Sequence, residues 1–412
     1  MKRNYYMVGL VFITFFVISF ITNILGALNP EIQQSFHLSY GMVAFLPFSF
    51  FIAYGVMSIP AGMFIELYGE KTAMIISFGV AFVGAALISL FASYTICLLS
   101  LFLLGIGMAM LQVVINPLLR ISGGEEHFAF YSVMAQLLFG LASYVSPIVY
   151  TGVEAGLRSA PANDNFFIAG LRKVTNMQYS WTSQYWIFFI VILAMILVVA
   201  FSRFPKVELK EDEKAGTLTT YRQLIKNPVV ILFFLGIFSY VGVEQGVSYW
   251  ISEFLHQYHG KDTLTDGATA VSRFWGLMTA GCALSLILLK LFDSRKLLIV
   301  FAVVTMIVLA IALYGPANYA LVAFPAIGFT IALMFSVIFS LALNSLSSHH
   351  GSFSGILCTG IIGGAAVPLL IGWLADYIGL RAGMLFIYIF LAYILSIGFW
   401  AKPLVNNKTI RD

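Results

Sequence analysis

The residue whose chemistry is hardest to explain as packing is an acid inside an apolar run. Glu244 stands in Phe238-Ser-Tyr-Val-Gly-Val-Glu-Gln-Gly-Val-Ser-Tyr-Trp250, about sixteen residues into the run 228–255. A carboxylate in hydrocarbon costs several kcal/mol unless it is neutralised, paired or hydrated. A proton or a cation such as Na⁺ would neutralise it, so Glu244 is the candidate coupling residue. Tyr240, Glu244 and Ser248 recur at intervals of four and share one helical face. The plainer alternative is a permanently protonated Glu244 that bonds a neighbouring helix.

Uncharged amides form the next layer. Asn23, Gln112, Asn116, Gln136, Gln245 and Asn344 each interrupt an otherwise apolar run. An amide both donates and accepts, which suits a polyhydroxylated ligand. Tyr54, Tyr240, Tyr249 and Trp250 could stack on the apolar face of a sugar ring. The candidate substrate-binding set is therefore Asn23, Gln112, Asn116, Gln136, Tyr240, Gln245, Trp250 and Asn344. Each also has an ordinary reading, as an interhelical hydrogen bond or an interfacial aromatic residue.

Other chemistries lack their residues. Cys97, Cys282 and Cys358 lie in apolar runs without metal-ligand spacing, and His349 and His350 sit in a polar turn. The glycines follow no strand and precede no Lys-Ser/Thr pair, so they form no phosphate loop. No Ser-His-Asp set falls within the apolar runs, so an intramembrane enzyme is disfavoured, and no metal or cofactor is called for.

The elements that must position these residues follow from composition. Of 412 residues, 60% are hydrophobic and 10% charged, against roughly 25% charged in soluble proteins. Apolar stretches of 18 or more residues recur along the chain, each long enough to cross a bilayer. Twelve spans are expected, near 5–29, 40–66, 71–92, 95–120, 128–153, 185–204, 228–255, 269–292, 295–315, 318–346, 352–377 and 380–402. The first follows Met1-Lys2-Arg3 and runs too far to be a signal peptide. The fold expected is all-α and integral to the membrane, with a six-helix half at 1–204, a cytoplasmic linker at 205–227 and a second half at 228–412. Within the linker, 218–226 could form a short amphipathic helix.

Even parity puts both termini on one face. Placing them in the cytoplasm leaves sixteen of the 22 basic residues inside and six outside, as the positive-inside rule requires. The net charge of +4 thus reads as topology, with membrane lipid as surroundings and no nucleic-acid partner. The polar segments are too short for a soluble output domain, and a monomer is expected. The halves repeat weakly: Met108, Gln112 and Asn116 in span four match Ser336, Ser340 and Asn344 in span ten, and Pro147 matches Pro368.

Several motifs carry a family likeness. Gly62-Met-Phe-Ile-Glu66-Leu-Tyr-Gly69-Glu70-Lys71 resembles the Gly-x-x-x-Asp-x-x-Gly-Arg-Lys loop of the major facilitator superfamily, and Asp293 and Lys296 are its partial counterpart in the second half. A carboxylate there can cap a helix across the halves and close one face, making Gly62, Glu66, Gly69, Lys71, Asp293 and Lys296 the candidate gating residues. Gly372-Trp-Leu-Ala-Asp376-Tyr-Ile-Gly379 has the same spacing but is external by parity, so it cannot serve as the same cytoplasmic latch. Ile59-Pro60-Ala61-Gly62, Asn116-Pro117, Ala135-Gln136, Tyr240-Val241-Gly242 with Glu244, and Ile361-Ile-Gly-Gly364 with Pro368 and Asp376 follow in order. Together they resemble the fucose/glucose/galactose:proton symporters of that superfamily.

The resemblance implies sugar uptake by alternating access, driven by a proton gradient, in a bacterial cytoplasmic membrane. It also exposes departures. Gly26 stands where the fucose symporters carry an Asp, Gln112 where they carry a Glu, and Cys282 where an Arg is expected. Only Glu244, aligned with an acid of the glucose/galactose members, is left for coupling. An uncoupled sugar facilitator, a Na⁺-coupled symporter and an efflux transporter for amphipathic compounds are the alternatives.

Overall fold

The computed structural model describes residues 4–123, 128–161, 164–204, 218–346 and 350–402. Twelve helices are long and apolar enough to cross a membrane, and the described residues contain no strand. Spans 1 to 6 are Tyr5–Ser35, Tyr40–Ile65, Glu70–Leu90, Tyr94–Ile115, Met134–Arg158 and Met177–Phe201. Spans 7 to 12 are Pro228–His259, Thr263–Leu289, Ser294–Tyr314, Ala317–Leu343, Ser352–Ile378 and Leu380–Trp400. We call the face holding the start of span 1 and the end of span 12 the near face, and the opposite one the far face. Residues 205–217 of the expected linker lie outside the described residues; Leu218–Leu224 is a short helix.

Six spans form each half. Between the halves, span 2 packs on span 11, span 5 on span 8, and the end of span 1 on span 7. Glycine sets the closest crossings within each half. A Cβ on Gly105 of span 4 would strike the Phe50 carbonyl of span 2, and one on Gly363 of span 11 the Phe238 carbonyl of span 7. With lipid as apolar as leucine, such backbone contact replaces hydrophobic driving force between helices.

Several boundaries differ from expectation: span 5 runs to Arg158 and span 8 starts at Thr263, and spans 1, 6 and 7 differ as follows. Span 1 continues past residue 29 to Ser35, where Asn29 donates to the Tyr249 carbonyl at 3.2 Å and Trp181 to Ser35 at 3.0 Å. Span 7 continues past 255 to His259, ending on Gly260 in the left-handed region at φ 60°. Span 6 starts early, at Met177. Before it, the polar segment holds a helix, Phe166–Val174. Its Arg172 donates to the Gly156, Leu157 and Ser159 carbonyls, satisfying the end of span 5. The same guanidinium bonds both oxygens of Asp164, at 2.6 and 2.8 Å, and holds that carboxyl below its usual range.

The helices are interrupted at few places. Span 1 breaks at Asn23–Ile24, span 10 at Ala332–Leu333, span 11 has a tight turn at Gly360–Ile362, and span 12 breaks at Leu385–Phe386.

Gly105→Leu and Gly363→Leu should each destabilise the protein by about 1–3 kcal/mol, the usual cost of overpacking. Gly79→Ala, where a Cβ meets nothing within 4 Å, should be neutral or slightly stabilising. Thermal unfolding in detergent measures all three, and equal melting would contradict the close crossings.

Candidate functional site: a polar cavity between the halves

A cavity of about 350 Å³ lies where the two halves meet. The first half contributes Thr22 and Asn23 of span 1, Phe51 and Tyr54 of span 2, Gln112 of span 4 and Gln136 of span 5. The second contributes Tyr240, Glu244 and Gln245 of span 7, Met278 and Cys282 of span 8, and Phe335 and Ser336 of span 10. It opens toward the near face, since its wall includes exposed Gln136 and reaches Leu289, two residues from the end of the span 8 helix at Leu291.

The closed end lies roughly 26 Å from the near end of the helices, at 1.5 Å per residue. There Gln245 donates to the Asn23 amide oxygen at 3.5 Å, and Asn23 donates to Ser143 at 2.8 Å. This amide pair joins span 1 to span 7 across the halves. Beyond it the Tyr249 hydroxyl donates to the Val43 carbonyl at 2.7 Å, sealing span 7 to span 2.

Glu244 sits in the wall, 8% exposed, and shares it with Tyr240, one helical turn earlier, and with Cys282 of span 8. No Lys, Arg or His lines the cavity among the described residues. Glu244 therefore shares a mostly apolar wall with amides, hydroxyls and aromatic rings, without a fixed counter-charge among the described residues. Phe335 packs against Tyr240 with ring centres 5.6 Å apart, making an aromatic wall on the second half.

Seven sequence-selected residues thus meet: Asn23, Tyr54, Gln112, Gln136, Tyr240, Glu244 and Gln245. Trp250 and Asn344 lie elsewhere. Trp250 is five residues farther along span 7 than Gln245, past the closed end, fully buried between Tyr40 and Tyr249 and donating to the Pro368 carbonyl at 3.4 Å. Asn344 is eight residues beyond Ser336, about 12 Å nearer the near face by helical rise, and ends the second segment of span 10. The side chains of Asn116 and Glu66 lie outside the described residues. Phe51, Met278 and Phe335 are wall residues that sequence reading missed, because an apolar residue in an apolar helix carries no signal. Ser336 had one, its place in the repeat with Ser340 and Asn344.

Glu154 and Glu253 stand near the far-face ends of spans 5 and 7, where solvent exposure is expected, yet both are buried, 0% and 8% exposed. Glu154 is neutralised by Arg158 at 2.9 Å and bonded by Ser180. Glu253 accepts from the Tyr40 hydroxyl at 3.4 Å. Among the described residues Glu244 is thus one of three buried glutamates, and the one that lines the cavity.

The Major Facilitator Superfamily family model matches residues 11–361. The chain belongs to the Major Facilitator Superfamily. It is a multi-pass membrane transporter and not an enzyme. It is 33% identical to a glucose/galactose transporter of Brucella abortus, over 93% of this chain and 91% of that protein. It is 23% identical to the L-fucose-proton symporter of Escherichia coli, over 89% and 86% respectively. The crystal structure of the superfamily transporter FucP in its outward conformation superposes with a TM-score of 0.69 at 20% identity, covering 96% of this chain and 98% of that one.

Within the superfamily frame, the candidate gating residues have plain local contacts. Gly69 ends the span 2 helix at φ 80°, a conformation that favours glycine. Lys71 donates to the Ala200 and Ser202 carbonyls at 2.7 and 2.9 Å, capping span 6 of its own half. Asp293 accepts from the Arg295 and Lys296 backbone N–H groups and starts span 9. Gly62 lies within the span 2 helix. Lys71 and Asp293 bond to groups of their own halves, consistent with a cavity open at the near face.

Gly26, where the symporters carry an acid, has no room for one here: a Cβ would strike the Ser248 carbonyl of span 7. Gly26→Asp should therefore push span 1 from span 7, lowering the melting temperature and abolishing transport. A Gly26→Asp protein that melts and transports like the parent would refute this close contact.

Proposed function

We propose that this transporter imports a monosaccharide, or a modified monosaccharide, by alternating access, and that Glu244 carries a coupling proton. The observation that supports it most is the lone carboxylate that shares a cavity with four amides and, among the described residues, with no fixed cation. Such a group is tolerated at low dielectric when protonated, and a proton is the smallest neutralising charge. The curated relatives named for glucose/galactose transport and for L-fucose-proton symport support the substrate class and the ion.

The residues divide the work as follows. Gln112, Gln136, Gln245 and Asn23 offer donors and acceptors to sugar hydroxyls. Tyr240 and Phe335 present ring faces to the apolar side of the sugar. A sugar that engages Asn23 and Gln245 replaces their mutual bond across the halves, so occupancy changes what holds span 1 to span 7. Protonation removes the cost of enclosing Glu244 while both faces are closed; deprotonation on the opposite side then favours the hydrated, open cavity. The halves rock about this site. Lys and Arg bias makes the near face cytoplasmic, so the cavity here is open inward, in the inner membrane of a bacterium.

Uptake into proteoliposomes from a panel of labelled monosaccharides, with imposed pH or Na⁺ gradients, tests the proposal. Accumulation should follow the pH gradient, and Glu244→Gln should reduce it to equilibration while sparing counterflow exchange. Uphill uptake unchanged in Glu244→Gln overturns the role of Glu244. Accumulation that follows Na⁺ alone, or none under either gradient, selects cotransport with Na⁺ or facilitated diffusion instead.

A further inference from the structure

The spacing Gly-x-x-x-acid-x-x-Gly occurs twice, at Gly62–Gly69 and at Gly372–Gly379, at the ends of spans 2 and 11. Both copies fold alike. Gly69 and Gly379 have φ of 80° and 83°, and their N–H groups close on Ile65 and Ala375 at 2.8 and 3.0 Å. They lie on opposite faces, and the far-face copy is engaged across the halves. One Asp376 oxygen accepts from the Tyr40 N–H at 2.8 Å, and the other from the Gly41 N–H at 2.8 Å and the Ser39 hydroxyl at 3.0 Å. These are the first donors of span 2, which an unaided helix leaves unsatisfied and which lie at the positive end of its dipole.

Two features make this contact specific. Gly372 lets span 11 approach so closely that a Cβ would lie 2.5 Å from the Tyr40 carbonyl, and a Cβ on Gly41 would lie 2.6 Å from the Asp376 carboxylate. Tyr40 is also held at its other end, where its hydroxyl donates to Glu253 of span 7. Two acids of the second half thus grip one residue of the first.

From this geometry we infer that Asp376 is a positioning residue of the transport cycle: it holds the far face shut by capping span 2, with Glu253 assisting through Tyr40. The inference rests on the alternating-access reading, under which these cross-half bonds must break whenever the far face opens. Asp376 is exposed, so water can take over its oxygens when they part, and the clasp can release without stranding a charge.

Cys282 lines the cavity and reports which face is open. With Cys97 and Cys358 replaced by Ala, a membrane-impermeant maleimide is applied to either face of sealed vesicles, without sugar. Asp376→Asn should raise far-face labelling of Cys282 by roughly three- to thirty-fold, the population shift that loss of a helix cap corresponds to, and lower near-face labelling. Gly41→Ala, which crowds the carboxylate from the other half and favours helix locally, should do the same, and the double variant should add little. Far-face labelling unchanged in both single variants overturns the inference, as does labelling that rises from both faces together, which marks general loosening. Whether wild-type labelling responds to any sugar tests the transport reading separately in the same vesicles.

Discussion

In hydrocarbon, every backbone N–H and C=O must find its partner within the protein, and that constraint organises this molecule. It makes each crossing a helix and restricts irregular backbone to sites where protein or water can satisfy it. Three of the four interruptions obey the second clause directly: Asn23, Ala332 with Leu333, and Ile361 all line the cavity. The Asn23 break also places an amide side chain where the helix ladder falters, so the residue that interrupts span 1 is the one that bonds Ser143 and receives Gln245. Local backbone weakness and the polar site are therefore one feature of the sequence expressed twice.

Charge is distributed by the same logic of satisfaction. Arg158 gives Glu154 a partner, the Tyr40 hydroxyl gives Glu253 one, and backbone N–H groups give Asp376 and Asp293 theirs. Each of these acids does a structural job where it stands. Glu244 lines the cavity with no cation in its wall among the described residues, and a carboxylate without a paired charge is costly at low dielectric. Under the proposed proton coupling, that cost is what ties the protonation of Glu244 to the closing of the cavity.

Much of this was legible in the sequence because two signals are strong. Uninterrupted apolar length marks a span, and an acid or amide within one marks an interior face. Boundaries failed where polar residues are satisfied across helices: Asn29 reads as the end of span 1 until Tyr249 supplies its acceptor. Glu253 reads as external for the same reason, since the sequence does not reveal the Tyr40 hydroxyl opposite it. Trp250 failed differently. It has the right chemistry on the right helix, but its depth, set by where the halves touch, puts it beyond the closed end. Phe51 and Phe335 were invisible because apolar walls and apolar cores have the same composition.

The duplicated glycine–acid motif shows how position can hide function that spacing reveals. Read by parity alone, Asp376 is the wrong acid, because its motif lies opposite the face where the superfamily's loop is found. Yet a carboxylate that caps a helix start works identically at either face, since the dipole and the unsatisfied N–H groups belong to the helix and not to its direction across the membrane. At the near face, Lys71 is spent on the end of span 6 within its own half. At the far face, Asp376 bridges the halves. Under the proposed alternating access, parting span 2 from span 11 at the far face breaks the Asp376 cap, so the preference of the empty transporter shifts with the strength of that cap, by roughly five-fold for about 1 kcal/mol.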